Sequence, residues 1–540
     1  MTRHLITGLL IITMQALTAQ VQFTSSNLPI IRISTSGDEI NRDSKVRAVI
    51  ETIDNGLDQR NMVTDVANDY RGNCGIKIRG ESSAFFDKKS YAIELWDENF
   101  EDLDTSILGF PKEEDFILYG PYSDKSLLNN VLAMSVARGM GQYASRTRYV
   151  ELLIDGDYKG LYVLMEKIKR DKDRVDIAKL RPEDNEGDEL TGGYIIRIDK
   201  GQYDGWFSKE PHFGNDNRPY YQFYYPSQED ITELQKAYIE EYVHGFEAAA
   251  NSDTYRNSDG DHYTEYINLR SFVDHFILTE LSKNADGYRL STYFHKQKDS
   301  NGGRLFIGPV WDYNLSFANA DYCDTEFVGD FLYYDCVGNS PEWWDNFLRD
   351  ETFTSALRCR YDELRTTVLS VSGLSGLLDS IQLEIFEAQG RNFERWDIMG
   401  KYIWPNPDFF AQAQNHFEVM ELLRIWLDGR LRWLDENVPG TPVDCGQYDD
   451  PDYEVNTTAI FEVNDLKAIE VFPNPAQDRV RLRCKETIKS VELIDISGRP
   501  VLSHKPSHRQ VDLELNLPAG LYFLEVVCEQ KLYRKTLLVQ

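Results

Sequence analysis

Two aspartates of this chain sit where a carboxylate has chemistry to do. Asp312 closes the apolar run Arg304-Leu-Phe-Ile-Gly-Pro-Val310-Trp311, and a carboxylate there must be paired, protonated or metal-bound to be tolerated. Asp286 follows a helical apolar pattern at Ser271–Leu281 and feeds an alternating strand through Asp286-Gly-Tyr-Arg-Leu-Ser291. Upstream, Arg79-Gly80-Glu81-Ser82-Ser83 joins two strand-like segments. Its backbone N–H groups could face an anion, with Lys88 or Lys89 reaching back from the second segment. In that order the three pieces match the needs of phosphoryl transfer: cationic and backbone donors for phosphates, a carboxylate for the metal, and a carboxylate for the acceptor hydroxyl. Taken singly, each has a plainer use as a hairpin with surface lysines or an aspartate capping a turn.

The elements that must position these groups are legible from periodicity. Cys74–Gly80 and Lys88–Leu95 read as two strands, and Tyr149–Ile154 with Gly160–Met165 as a hairpin turning on Asp155-Gly156. Lys125–Gly139 reads as a helix with Asp124 at its N-cap and Leu127, Leu128, Val131, Leu132 and Val136 on one face. Helical spacing returns at Glu351–Leu369, Leu374–Gln389 and Pro407–Asn437, with Arg391, Glu394 and Arg395 read as a solvated face.

The 540 residues predict two to four domains, and 41% hydrophobic and 12% aromatic content excludes wholesale disorder. A net charge of −31 repels phosphate backbones, so nucleic acid is not expected as a partner. Arg3 and His4 before the apolar stretch Leu5–Met14, with Ala19 at a cleavage point, read as a secretory leader over residues 1–19. No later segment reaches the roughly 18 apolar residues of a bilayer span, so the mature chain is expected to lack a transmembrane segment. Export permits disulfides. Cys323 with Cys336 and Cys484 with Cys528 are candidate pairs, Cys74, Cys359 and Cys445 are unassigned, and the odd total of seven leaves at least one thiol without an intrachain partner. An acidic, Pro-containing stretch at 438–467 reads as a linker, and the short alternating segments after it as a small β-sandwich.

Two resemblances add to this. Val471-Phe472-Pro473-Asn474-Pro475, Val491-Glu-Leu-Ile-Asp-Ile-Ser497-Gly498-Arg499 and Leu517-Pro-Ala-Gly-Leu521-Tyr522 resemble, over 468–540, the sorting domain of the type IX secretion system of Bacteroidetes. That implies passage across the outer membrane to the surface or medium, with the type IX machinery as a partner. Five further blocks resemble the CotH kinase family over about 30–330: Ile78-Arg-Gly-Glu-Ser-Ser83, Lys88-Lys-Ser-Tyr91, Tyr122-Ser-Asp-Lys-Ser126, Asp155 through Ile168, and Trp311-Asp-Tyr-Asn-Leu315. The namesake of the family is a spore-coat protein with an atypical protein-kinase-like fold. The fold class implied is α+β, a two-lobed kinase-like domain at 30–437 followed by the sandwich.

By the same resemblance, ATP and Mg²⁺ are the cofactors and an extracellular protein or glycan is the substrate. Asp286 takes the catalytic place, and Asp312 the metal place, helped by Asn314 and Ser291. Arg79, Gly80, Ser82, Ser83, Lys88 or Lys89 face the phosphates, and Glu166, Lys167 and Ile168 stand at the adenine edge. Ser291 stands where kinases place Asn, and no His-Arg precedes Asp286. A non-catalytic surface protein is therefore carried alongside. So is a glycan-binding or glycan-cleaving protein that would use Trp206, Trp343, Trp344, Trp404 or Trp433 as stacking faces.

Overall fold

The computed structural model describes residues 21–56, 59–336, 340–448, 469–474, 476–495, 500–529 and 531–539. The expected leader, most of the expected linker and the Ser497-Gly498 turn lie outside the described residues.

Seven strands close into a barrel: β1 (Ile30–Ser34), β2 (Val46–Ile53), β3 (Tyr70–Arg79), β4 (Ser90–Trp96), β5 (Asp115–Tyr119), β6 (Thr147–Ile154) and β7 (Asp157–Glu166). Their order is β1-β2-β3-β4-β5-β7-β6, with β6 running parallel to β1 at the seam. Period-two alternation turns Ile31, Ile50, Ile76, Ile93, Leu118 and Leu152 into the barrel interior. The β6–β7 hairpin turns as its sequence requires, with Asp155 at φ 49° and Gly156 at φ 79°.

The outer face of the barrel packs through Ile117, Tyr149, Val163 and Met165 against α1 (Asn129–Gly139). The expected start of this helix at Lys125 is corrected. Asp124 accepts from the backbone N–H of Ser126, Leu127 and Asn129 at 3.0, 3.2 and 2.9 Å, and Leu127 takes φ 65°, which turns the chain before the helix begins.

Beyond α1 lies an antiparallel sheet ordered β9-β10-β8-β11-β12, from β8 (Tyr194–Ile198), β9 (Gly205–Phe207), β10 (Tyr220–Tyr225), β11 (Thr292–Lys296) and β12 (Leu305–Ile307). Against it pack α2 (Glu233–Ala250) and α3 (Leu269–Ser282), then α4 (Glu351–Thr366), α5 (Val371–Glu384), α6 (Phe386–Arg395) and α7 (His416–Asn437). The helix expected over Pro407–Asn437 is divided, because the Asn415 side chain caps α7 by accepting from Glu418 N. The expected solvated face of α6 is also corrected. Arg391 Nε lies 3.2 Å from the buried Glu151, and Arg395 donates to Tyr158 O, so this face clamps the barrel.

Disulfides join Cys323 to Cys336 and Cys359 to Cys445. The second fastens the start of the expected linker to α4. Cys484 and Cys528 are free buried thiols that meet through a hydrogen bond rather than a disulfide, and Cys74 is buried in the barrel wall. The C-terminal region is a six-stranded antiparallel arrangement built on one long strand, β14 (Arg479–Asp495). The first part of that strand pairs with β13 (Ile469–Phe472) and β16 (His508–Glu514). The later part pairs with β15 (Pro500–His504) and β17 (Gly520–Cys528), and β18 (Lys531–Val539) adds to β17.

Candidate functional site

Three loops meet where the barrel faces the five-stranded sheet, and each brings an aspartate. The first follows α3. Lys283 ends that helix in the left-handed region, and Asn284, Ala285 and Asp286 follow. Asn284 is buried and joins this loop to the next, accepting from Asp286 N and donating to Asp312 O, both at 3.4 Å. Phe317 N donates to Ser282 O at 2.6 Å, a second tie between the two loops.

Asp312 itself stands at φ 62°, a conformation that costs a non-glycine residue about 1–2 kcal/mol and persists only where its surroundings impose it. Those surroundings are the neighbouring asparagines at the start of α1. Asn130 accepts from Tyr313 N at 2.7 Å, and Asn129 donates to Ser316 O at 2.8 Å.

The third aspartate, Asp199, ends the buried strand β8. Arg197 Nε is 3.4 Å from it, and Lys200 is beside it. The same signal that singled out Asp312, an acidic residue closing an apolar strand, is present in Ile195-Ile-Arg-Ile198-Asp199.

Asp312 has the accessible area of an exposed side chain, yet protein surrounds it. Together these place its carboxylate in a cleft open on one side. Desolvation, then repulsion from Asp286, pushes its carboxyl up to about 6, with Arg79 opposing and Asp199 adding to the rise. Desolvation also raises Asp286 against the opposing pull of Arg289 and Lys200. Arg289 Nη2 lies 2.7 Å from Asp286 Oδ1, an ion pair within hydrogen-bonding distance. From the barrel, Arg79 at the end of β3 stacks over Trp311 at 5.6 Å, which holds a guanidinium on the Asp312 side of the cleft.

A model of the CotH kinase protein family matches residues 76–434, more than half of the chain. The chain belongs to that family. A model of the secretion system C-terminal sorting domain matches residues 470–540, so this CotH kinase family protein is exported by type IX secretion to the cell surface or the extracellular space. No curated protein matches the chain. Among the described residues, no helix is long and apolar enough to cross a membrane.

Within this CotH family protein the expected site residues divide. Asp286, Asp312 and Arg79 converge on the cleft. Ser291, at φ 53°, precedes β11 on the loop of Asp286, and the backbone carbonyl of Asn314 is held by Asn319 at 2.8 Å. Gly80, at φ 100°, opens the short turn that carries Ser82 and Ser83, and a Cβ there would come 2.0 Å from Ser83 Oγ.

Lys88 does not point to the cleft. It is buried and donates to Pro121 O, Leu161 O and Asn392 Oδ1 at 3.1, 2.6 and 2.7 Å. Lys89 is spent on Ala84 O and Phe86 O of the same turn. Glu166 is buried and accepts from Arg146 N, Arg146 Nη1 and Tyr143 OH, and Lys167 pairs with Asp115 at 2.9 Å. Ile168 packs with Val175, Ile195 and Tyr293 against Trp311, so it lies in the wall behind the cleft. Sequence reasoning missed Asp199, Lys200, Arg289 and the positioning asparagines 129, 130 and 284.

Of the tryptophans offered as sugar platforms, Trp206, Trp343 and Trp344 are buried. Trp343 and Trp344 belong to an aromatic cluster with Phe272, Phe276 and Phe347. Only Trp404 among the five is exposed.

Proposed function

We propose that this protein is an exported kinase that transfers the γ-phosphoryl group of ATP to a hydroxyl, of the serine or threonine type, on an extracellular protein. The observation that carries the reading is the convergence of Asp286, Asp312 and Asp199 with Arg79, Lys200 and Arg289 in one cleft, in the order of roles that phosphoryl transfer needs. In this reading the barrel and the sheet-and-helix region are the two lobes of a kinase-like fold, and the C-terminal strands form a sandwich.

The residues fit a divalent cation. Two carboxylates on adjoining loops, Asp286 and Asp312, share the cleft, and burial followed by the charge of Asp286 raises the Asp312 carboxyl, a rise that a cation would relieve. Asp312 would hold Mg²⁺, with Asn314 and Ser291 as neutral oxygen donors on the adjoining loops. When bound, the ion neutralises the phosphates of the nucleotide. Arg79 and Lys200 add positive charge on the barrel and sheet sides of the cleft. Asp286 accepts the proton of the acceptor hydroxyl as that oxygen bonds to the γ-phosphorus and the bond to the leaving ADP oxygen breaks. Arg289, 2.7 Å from Asp286, favours the ionised, proton-accepting form against the desolvation that raises this carboxyl.

The test is calorimetric titration of ATP with and without Mg²⁺ into wild type and Asp312→Asn, paired with transfer of labelled phosphate to a surface protein extract. Metal-dependent binding that is weakened by Asp312→Asn, together with transfer, is the expected result. Wild-type protein that binds no nucleotide at any metal concentration overturns the kinase reading. Binding without transfer to any acceptor leaves the non-catalytic surface protein in its place.

A further inference from the structure

Strand β8 sends its side chains to two sides of the sheet, and the place of Asp199 follows from that alternation. Ile196 and Ile198 turn into the helical core, whereas Ile195 packs with Ile168 and Tyr293 against Trp311. Period two puts Arg197 and Asp199 on the Ile195 side, which is the side of Trp311 and the cleft. Arg197 bears this out by donating to Tyr293 OH at 3.0 Å.

Antiparallel pairing fixes what stands next to Asp199. β8 and β11 are in register from Tyr194 with Lys296 to Ile198 with Thr292. The next residue on β8 is Asp199 and the one before β11 is Ser291, so the two leave the sheet side by side. Ser291 lies five residues after Asp286, where kinases carry a metal-holding Asn. The backbone does not demand a serine there: at φ 53° it is in the left-handed region, which Asn enters more readily than most residues.

Asp199 is not consumed by the protein. Its backbone N–H donates to Tyr220 O at 3.1 Å, which fixes the end of the strand. Among the described residues its carboxylate accepts one hydrogen bond, from Lys200 N at 2.8 Å. Arg197 Nε stands 3.4 Å from the second oxygen but donates to Gln222 Oε1 at 2.8 Å. The Asp199 side chain is 18% exposed, and its charge is felt by both Asp286 and Asp312. In phosphoryl-transfer sites Mg²⁺ is bound through one or two carboxylates together with the substrate phosphates, and Ser291 offers only a neutral hydroxyl.

We propose, on the kinase reading above, that Asp199 is a metal-holding residue of the nucleotide cleft, its carboxylate making up from β8 for the serine that replaces asparagine at position 291. Asp312 holds the cation from its own loop, and Ser291 remains a neutral donor beside Asp199.

The full chain is titrated with Mn²⁺ in the presence of ADP, so that no transfer takes place, with free Mn²⁺ read by electron paramagnetic resonance and ADP binding by calorimetry. Asp199→Asn keeps the shape of the side chain and the bond from Lys200 N. It is expected to weaken Mn²⁺ at least about tenfold without lowering the melting temperature. Adding Ser291→Asn to that variant should recover at least about threefold of the lost affinity, and Ser291→Asn alone should tighten Mn²⁺ by a similar factor. Should Asp199→Asn not fold, Ser291→Asn alone decides, and unchanged affinity there overturns the assignment. Mn²⁺ affinity unchanged in Asp199→Asn reduces the carboxylate to an ion-pair partner of Arg197 and overturns the assignment, as does a loss that Ser291→Asn does not recover; ADP binding then still upholds the kinase reading. Wild-type chain that binds neither ADP nor Mn²⁺ overturns the kinase reading itself.

Discussion

Helix α3 carries two buried carboxylates, and the loop after it carries a third. The three are treated differently. Asp274 takes two hydrogen bonds from Arg360. Glu280 accepts from Tyr288 OH, Leu332 N, Tyr333 N and Arg430 Nη2. Asp286, a few residues on, pairs with Arg289 at 2.7 Å and shares its cleft with Asp312 and Asp199. Burial raises all three carboxyls, so burial alone does not separate structure from chemistry. Saturation does: a carboxylate whose oxygens are filled by several protein donors fixes an element, and one held by a single guanidinium at an open cleft beside other carboxylates is available to a ligand.

The contrast is broken most deeply at its open end. Asp286→Asn should lower phosphate transfer by roughly 10²–10⁴ while ATP affinity stays within a few-fold and the melting temperature holds, as a labelled-transfer assay with parallel calorimetry would read. At the saturated end the effect should appear in stability instead. Glu280→Ala strands the Arg430 guanidinium and should cost about 3–5 kcal/mol in urea unfolding, at any nucleotide concentration. An Asp286→Asn variant that unfolds as readily as Glu280→Ala would erase the distinction.

Stability against pH sharpens the saturated side. His416 is buried against Ser126 O at 2.9 Å, and burial lowers its pKa to about 4 from 6.5. Between those values the unfolded chain binds a proton that the folded one does not. Stability from this group is therefore complete above pH 6.5 and lost as pH falls toward 4, by about 2–3 kcal/mol. In His416→Gln that part of the slope should vanish, as unfolding at pH 7 and pH 4.5 compares. The smallest effects come from the two cations. Lys88→Met, which leaves three oxygen acceptors without their donor, should cost about 1–2 kcal/mol of stability and spare nucleotide affinity. Arg79→Met should do the reverse, weakening ATP binding by about tenfold with little change in melting temperature. Nucleotide affinity lost in Lys88→Met and kept in Arg79→Met would interchange their roles.

The legible part of this protein is local. The Asp155-Gly156 hairpin is made by backbone conformations that those two residues adopt cheaply, and α3 shows in the apolar spacing over Ser271–Leu281, while its Asn268 cap came only from the structure. Asp286 and Asp312 could be picked out because a charged residue at the end of an apolar element is costly wherever it occurs. Asp199 carried the same signal and was passed over, since nothing in its own neighbourhood ties it to residues more than eighty positions away.

What the linear order left undecided is which charges are spent. Lys88 and Lys89 are adjacent and alike in sequence. Asn392, 304 residues from Lys88, is brought against the barrel by α6 and consumes the first, and the turn carbonyls consume the second. Arg79 forms no ion pair among the described residues and is left over Trp311, acting on Asp312. Turns, caps and periodicity follow from the conformational preferences of neighbouring residues, so the sequence alone determined them. The saturation of a charge depends on donors and acceptors delivered from distant segments, and only the packing of barrel, sheet and helices decided it.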